Sequence, residues 1–312
     1  MIDQPDQPDQ PDQLTGTQVG VILDLVSAAA AADGVAPLSE HGLLRVRHGE
    51  PGQGKDVLIG SGGEIVGYGY VEPPADDTGQ EQEAAGELVV HPARRRQGLG
   101  SSLARALIAA AGERPLRVWA HGDLPAAAAL ARSAGFKRFR ALWQLRRSLA
   151  DPVATPAFPT GTTLRTFRVG QDEQEWLRLN ARAFAEHPEQ GSWTRRDLEL
   201  REAEPWFDPD GFFIAERDGA MTGFHWTKVH HTGDGGMGEV YVLGVDPGAH
   251  GGGIGRALTL AGLGYLRERG TAQVMLYADE DNVPAITMYR ELGFTRWRTD
   301  AMYRRPGQVS YW

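Results

Sequence analysis

The chain has 312 residues, of which 41% are hydrophobic, and this is enough for two domains of ordinary size with packed cores. A net charge of −9 argues against a nucleic-acid-binding protein, and the absence of cysteine excludes disulfides and cysteine-ligated metal sites. The sequence contains no run of about 18 apolar residues, the length needed to cross a bilayer. We therefore expect a soluble, monomeric, cytoplasmic protein with no membrane partner, no nucleic-acid partner and no metal.

Two proline-rich segments divide the chain. Residues 1–13 are acidic, rich in proline and without the features of a signal peptide, and they predict a disordered tail. The stretch DPVATPAFPTG at 151–161 predicts a linker. The expected domains are therefore residues 14–150 and residues 162–312.

Both halves repeat one order of predicted elements. A helical pattern comes first, then strand-like runs, a strand that enters a glycine-rich loop, an amphipathic helix, a short strand, a helix ending at Gly-Phe and a last strand. In the first half the main segments are 18–34, 56–60, 64–72, 86–92 and 116–120; in the second they are 172–186, 211–217, 221–230, 238–247 and 272–278. Interleaved helices and strands predict an α/β fold with a mixed sheet in each half.

The glycine-rich loops are the most informative motif. Residues 90–103 are VHPARRRQGLGSSL and residues 245–258 are VDPGAHGGGIGRAL, so the same pattern recurs with an offset of 155 residues. A glycine turn between a strand and a helix brings unpaired first-turn amides and the positive end of the helix dipole to one place, and glycines let a diphosphate approach the backbone. One such loop could be a plain turn, but two copies in matching contexts favour an anion site.

Two other nucleotide-binding motifs do not fit these loops. A Walker loop requires Gly-Lys-Ser/Thr, which neither half contains. A Rossmann fingerprint follows the first strand of its unit and leads to an acidic residue about 20 positions later, whereas these loops come late in each half.

The loops resemble the pyrophosphate motif of the GNAT acetyltransferase superfamily, Gln/Arg-x-x-Gly-x-Gly/Ala. The matching residues are Arg95, Gly98 and Gly100 in the first half and His250, Gly253 and Gly255 in the second. The histidine departs from the usual Gln or Arg, which leaves its role open while keeping the backbone cradle. A later GNAT signature is similar to residues 277–294, with Asn282, Tyr289, Gly293 and Phe294 at matching places.

Four further stretches are similar to the mycothiol synthase family, whose members are tandem GNAT enzymes. They are AFAEHPEQGSWT, WFDPDG, GFHWTKVH and GEVYVLGVDP. This resemblance implies an N-acetyltransferase that transfers acetyl from acetyl-CoA to the cysteinyl amine of a cysteine–glucosamine–inositol conjugate, the last step of mycothiol synthesis.

The resemblance also implies which residues bind acetyl-CoA, the co-substrate. In the first half they are Leu88, Val89, Val90, Arg95, Arg96, Gln97, Gly98, Leu99, Gly100 and Ser101. In the second half they are Leu243, Gly244, Val245, His250, Gly251, Gly252, Gly253, Ile254, Gly255, Arg256, Asn282 and Ala285. Whether the first half still binds acetyl-CoA is left open by the sequence.

Acetyl transfer to an amine needs a polarised thioester carbonyl, a base for the amine and an acid for the departing thiolate. Glu239 is the acidic residue on the strand before the loop and is the candidate base, while Tyr289 lies where the superfamily has its general acid. The first half has Ala84 and Ala131 at the corresponding positions. We therefore expect only the second half to catalyse.

The acceptor residues are assigned by resemblance. They are Glu186, Lys228, Glu239 and Tyr277, with Glu40 as a weaker member. A cysteinyl α-amine titrates near pH 8 and needs only a weak base. His230 and His231 are adjacent on a predicted strand and face opposite ways, so we expect no metal site there. Two alternatives remain: an aminoglycoside or protein amine as acceptor, and an acetyl-CoA-binding protein without turnover.

Overall fold

The computed structural model describes residues 8–49, 54–61, 63–73, 83–230 and 236–307, the side chains of 61, 188 and 189 excepted. The strands are β1 Lys55–Ser61, β2 Glu64–Glu72, β3 Ala84–Val90, β4 Leu116–Ala120, β5 Lys137–Ser148, β6 Thr162–Thr166, β7 Phe212–Arg217, β8 Ala220–His230, β9 Met237–Val245, β10 Gln273–Asp279 and β11 Thr295–Arg305. The helices are α1 Gly16–Asp33, α2 Glu40–His48, α3 Leu99–Ala111, α4 Pro125–Ser133, α5 Glu173–Ala183, α6 Pro188–Gly191, α7 Arg195–Glu202, α8 Ile254–Glu268 and α9 Val283–Glu291.

The first unit comprises residues 1–142 and 299–312 as far as they are described. Its strands lie in the order β1, β2, β3, β4 and the end of β11, with β3 and β4 parallel and the other neighbours antiparallel. Alternate residues of β1 face opposite sides: Val57 packs with α3, and Leu58 packs with α1. Helices therefore cover both faces of this sheet.

The second unit comprises residues 143–298, with strands in the order β10, β9, β8, β7 and β6. Only β9 and β10 are parallel among these neighbours. One face packs on α8 and α9 through Leu263 and Ile286, and the other packs on α5 and α7 through Trp176 and Leu198. The predicted α/β architecture with a mixed sheet is confirmed in each unit.

The units differ from the domain boundaries expected from the sequence. Residues 151–161, the expected linker, lie within the second unit, where Phe158 packs against its core. Ala301–Arg305 pair with β4 in the first unit, so the last strand crosses the expected boundary. The boundary between the units is set by backbone pairing between segments that are distant in the sequence. The proline content of residues 151–161 does not indicate that pairing.

The N-terminal segment also differs from the expected disordered tail. Residues 1–7 lie outside the described part, but Asp9 and Leu58 exchange two backbone hydrogen bonds of 2.8 Å at the edge of β1. Beyond this segment, a capping box of Thr15 and Gln18 begins α1, two residues before the helical pattern that the sequence shows from Gln18.

Within the described ranges, no helix has both the length and the apolar character required to cross a membrane.

Candidate active site

The parallel strands of each unit diverge a few residues before the glycine loop begins. In the second unit the ladder of β9 and β10 ends at the pair Val240 and Leu276. In the first unit the ladder of β3 and β4 ends at Gly86 and Val118. Beyond these pairs the strands no longer bond to each other, so backbone amides can bind an extended, amide-containing ligand between them.

The two glycine loops have the same backbone geometry. Gly98 and Gly253 precede α3 and α8 with φ of 84° and 83°, and neither helix has a side-chain cap. Two residues earlier, Arg96 and Gly251 are also left-handed, with φ of 66° and 79°. A Cβ added at either cap glycine would meet no atom within 4 Å. Each loop thus presents uncapped first-turn amides to open space, the arrangement that binds phosphate.

The motif side chains at Arg95 and His250 bind the protein itself. Nε2 of His250 lies 3.1 Å from the carbonyl oxygen of Val245, and since a carbonyl only accepts, Nε2 carries the donated proton. Arg95 donates from Nε to the carbonyl of Val90 at 3.3 Å, and its other nitrogens bind Asp33 at 2.7 Å. His250 therefore takes the place of Arg95 in hydrogen bonding the loop to the last residue of the preceding strand.

The other residues expected to bind acetyl-CoA surround these two loops. Leu88, Val89 and Val90 end β3, while Leu243, Gly244 and Val245 end β9. Gln97 and Gly252 lie in the loops; Leu99, Gly100 and Ser101 begin α3, and Ile254, Gly255 and Arg256 begin α8.

Two of these residues have structural partners on α9. Arg256 binds Glu291 at 2.9 Å. Oδ1 of Asn282 accepts from the amide of Ala285 at 3.1 Å and caps the helix. The cap fixes the start of α9, which carries Tyr289.

Glu239 is 8% exposed and faces two cationic or ionisable partners on β8. Its register partner across the antiparallel pair is Lys228, which is 9% exposed. Nε2 of His230 lies 2.6 Å from Oε2 of Glu239. The register of β8 and β9 creates this contact, and the sequence around His230, where only a metal site is weighed and judged absent, does not indicate it. His231 lies outside the described residues, and no metal-binding cluster of three His, Asp or Glu residues occurs within them.

A β-bulge at Tyr241 shapes the surface beside Glu239. Trp226 pairs with Val242 and Thr227 with Val240, so Tyr241 is the extra residue of β9. Nζ of Lys228 lies 4.0 Å from the ring centre of Trp206 and 5.0 Å from that of Tyr241. The two rings hold the ammonium group of the residue that pairs with Glu239 across the strands.

Tyr289 lies on the opposite side of the diverging strands, within the apolar cluster that contains Val240 and Leu276. It is 6% exposed, and its ring centre lies 5.5 Å from that of Phe294. Burial raises the pKa of the phenol above its ordinary value of 10.0. Among the described residues no hydrogen bond involves this hydroxyl, so its proton is available to a ligand.

The remaining acceptor candidates are spread more widely. Tyr277 is 42% exposed, and its hydroxyl accepts from Nε2 of Gln144 at 2.7 Å. Glu186 is exposed in the turn after α5, with no hydrogen bond or ion pair to the other candidates among the described residues. Glu40 begins α2 in the first unit.

The corresponding place in the first unit holds a buried ionic network that sequence analysis did not find. Nε2 of His121 lies 2.9 Å from Glu87, and Nδ1 lies 3.1 Å from Asp300. Tyr70 and Ser39 also donate to Glu87. Burial lowers the pKa of His121, but the two carboxylates outweigh it and raise that pKa to about 10. The imidazolium of His121 thus bridges β3 and the end of β4, at the position where β9 and β10 diverge in the second unit.

Both units match known acetyltransferase models. Residues 174–294 match the acetyltransferase (GNAT) family, and residues 54–138 match the acetyltransferase (GNAT) domain. A tandem GNAT protein from the clavulanic acid biosynthesis pathway superposes with a TM-score of 0.72 and 24% identity, covering 98% of this chain and all of that one. The expected pair of tandem GNAT-like domains is confirmed.

Sequence relatives extend over nearly the whole chain. The mycothiol acetyltransferase of Thermobispora bispora is 55% identical over 287 residues, which are 91% of this chain and 95% of that protein. The mycothiol acetyltransferase of Geodermatophilus obscurus is also 55% identical, over 92% of this chain and 94% of the relative.

Proposed function

The chain belongs to the mycothiol acetyltransferase family of tandem GNAT proteins, and we propose that its second unit alone catalyses acetyl transfer. The protein is an acetyl-CoA-dependent N-acetyltransferase, and the cysteinyl amine of the cysteine–glucosamine–inositol conjugate is its acceptor. The reaction is the last step of mycothiol synthesis. The observation that supports a catalytic second unit is the buried carboxylate of Glu239 beside the point where β9 and β10 diverge.

Glu239 acts as the base for the acceptor amine, directly or through a water. The new bond joins the amine nitrogen to the acetyl carbon, and the amine proton passes to the carboxylate. His230 at 2.6 Å orients that carboxylate, and the amine of a cysteinyl group, with a pKa near 8, is far easier to deprotonate than a lysine amine near 10.4. A weak base held in the correct place therefore suffices.

Tyr289 acts as the acid for the leaving group. The carbon–sulfur bond breaks as the nitrogen–carbon bond forms, and the departing thiolate takes the phenol proton. Because burial raises the pKa of Tyr289, the hydroxyl keeps this proton at neutral pH until the thiolate appears.

The first unit binds acetyl-CoA without catalysing. Its glycine loop has the same left-handed geometry as that of the second unit, which favours retained nucleotide binding. Ala85 and Ala131 stand where the second unit has Glu239 and Tyr289: Ala85 pairs with Glu72 as Glu239 pairs with Lys228. The sequence alignment gave Ala84 for the first of these, because it took no account of the extra residue Tyr241 in β9. The Glu87–His121 pair joins the diverging strands on the face that would have to admit an acceptor amine.

The test uses the full chain, acetyl-CoA and three acceptors: the cysteine–glucosamine–inositol conjugate, an aminoglycoside and a lysine-containing peptide. The conjugate itself carries a thiol, so acetylated product is measured by mass spectrometry and not with thiol reagents. We expect the conjugate to have the highest kcat/KM. Turnover of the aminoglycoside or the peptide in preference to the conjugate would reject this acceptor.

A further inference from the structure

One face of the second unit continues past Glu239 into a polar and aromatic surface formed by β10, β5 and β11. Met275 is the register partner of Glu239 on the parallel strand β10. Tyr277 follows two residues later and therefore lies on the same face, about 7 Å further along the strand. The surface thus begins within reach of an acceptor whose amine is at Glu239.

Gln144 of β5 connects this surface to Tyr277. Its Nε2 donates to the hydroxyl of Tyr277 at 2.7 Å and lies 3.4 Å from Sδ of Met275. Gln144 is 5% exposed, and its Oε1 is buried with no partner among the described residues. Arg146, two residues later on β5, lies on the same face.

Arg146 stacks on an exposed indole. Its Cζ lies 4.5 Å from the ring centre of Trp297, whose exposed fraction is 59%. Nε of Arg146 is buried without a hydrogen-bond partner in the described part of the chain. Burial and the charge of Arg298 lower the pKa of Arg146 and outweigh the opposite effect of Tyr277, as expected for a cation with no carboxylate beside it among the described residues.

We propose that Tyr277, Arg146 and Trp297 form the subsite for the sugar–inositol part of the acceptor. The proposal rests on the function proposed above and names where the part of the acceptor remote from the amine binds. A polyol suits these residues because its C–H faces pack on an indole, while its hydroxyl oxygens accept from guanidinium and phenol donors. A neutral ligand also adds no negative charge beside Arg146, in keeping with the described residues, among which no carboxylate is paired with it.

The internal repeat supplies a matched control for Trp297. Residues 136–140 are FKRFR and residues 294–298 are FTRWR, so Phe139 is the counterpart of Trp297 in the first unit. Phe139 is also 59% exposed, and Cζ of Arg304 lies 5.3 Å from its ring centre. A general effect of removing an exposed, arginine-stacked ring would therefore appear at both positions.

The test compares Trp297→Leu with Phe139→Leu on two acceptors, the full conjugate and L-cysteinamide, which lacks the sugar and inositol. We expect Trp297→Leu to raise KM for the conjugate about tenfold and to leave kcat/KM for L-cysteinamide unchanged. Phe139→Leu should change neither value. Equal losses on both acceptors, or no loss on the conjugate, would overturn the subsite.

Two further measurements keep the test decisive. Trp297→Phe retains a ring and should keep KM for the conjugate within about twofold of wild type, which a misfolded variant would not do. myo-Inositol should compete weakly with the conjugate, and Arg146→Gln should abolish that competition. If inorganic phosphate competes instead in an Arg146-dependent way, the patch is an anion site and the proposal is wrong. Wild-type protein that does not acetylate the conjugate would reject the proposed function itself and the subsite with it.

Discussion

Oε2 of Glu239 lies 2.6 Å from Nε2 of His230, and the two side chains come from adjacent antiparallel strands of the second unit. His230 pairs in register with Met237, two residues before Glu239, so the contact is a diagonal one on the shared face. Such a contact restrains a carboxylate in a single orientation. A carboxylate restrained in this way suits the role of base proposed for Glu239.

Replacing Glu239 by Gln should lower kcat by about 100-fold or more and leave KM for acetyl-CoA unchanged. The amide can still bind His230, so position is kept while proton acceptance is lost. Product formation by mass spectrometry measures both constants. Glu199→Gln is the control, because Glu199 is half-exposed and its carboxylate pairs with Arg195 on the same helix. Activity of Glu239→Gln equal to that of the control would reject the base assignment.

Tyr289→Phe should lower kcat by about 100-fold, again with little effect on acetyl-CoA affinity. The hydroxyl lies in an apolar cluster, so its removal leaves packing almost intact. Because burial raises the pKa of Tyr289, its deprotonation should not limit the wild-type rate below pH 10. A pH–rate profile tests this. An alkaline decline near pH 8 or 9 that disappears in Tyr289→Phe would contradict the raised pKa of this phenol, whereas wild-type kcat in Tyr289→Phe would reject the acid assignment.

His121→Gln should destabilise the protein at neutral pH by about 3 kcal/mol or more, since Glu87 and Asp300 would lose the cation between them. The pKa of His121 is raised to about 10 in the fold, against about 6.5 in the unfolded chain. Its contribution to stability is therefore complete below pH 6.5 and is lost as the pH rises toward 10.

Thermal melting of wild type and His121→Gln between pH 6 and pH 10.5 measures this linkage. Titratable groups that do not contact His121 cancel in the comparison. The difference in Tm should be largest near pH 6 and should shrink as the pH approaches 10. A difference independent of pH would show that His121 is not an imidazolium in the folded protein.

The loop geometry could be predicted from the sequence because it is local. Gly98 and Gly253 occupy left-handed positions that favour glycine. The repeat, with its offset of 155 residues, places a glycine at this position in both halves. The buried Glu239 was likewise found because it precedes such a loop on its strand.

Non-local pairing could not be predicted in the same way. The contact of His230 with Glu239 depends on hairpin register, and the bulge at Tyr241 changes which side of β9 each side chain faces. Pairing of Ala301–Arg305 with β4 joins segments that are far apart in the chain. Asp300 thereby meets His121, although nothing near either residue in the sequence indicates the contact.

The two loop glycines allow a test of which unit is catalytic. Gly98→Val and Gly253→Val introduce the same side chain at φ of 84° and 83°, so each should incur a similar backbone strain of about 1–2 kcal/mol and a similar fall in Tm. At both positions the new side chain would project into the open space before the helix, where a diphosphate would bind. Acetyl-CoA binding by calorimetry should therefore fall from two sites to one in either variant.

The turnover rate should distinguish Gly98→Val from Gly253→Val, although the number of acetyl-CoA sites is the same in both. Gly253→Val should lose nearly all activity, because the thioester must be held beside Glu239 and Tyr289. Gly98→Val should retain kcat within about twofold, since the first unit lacks both groups and its strands are bridged by His121. A Gly98→Val protein that melts normally but does not turn over would show that the first unit takes part in the reaction. An active Gly253→Val protein would move catalysis away from the second unit altogether.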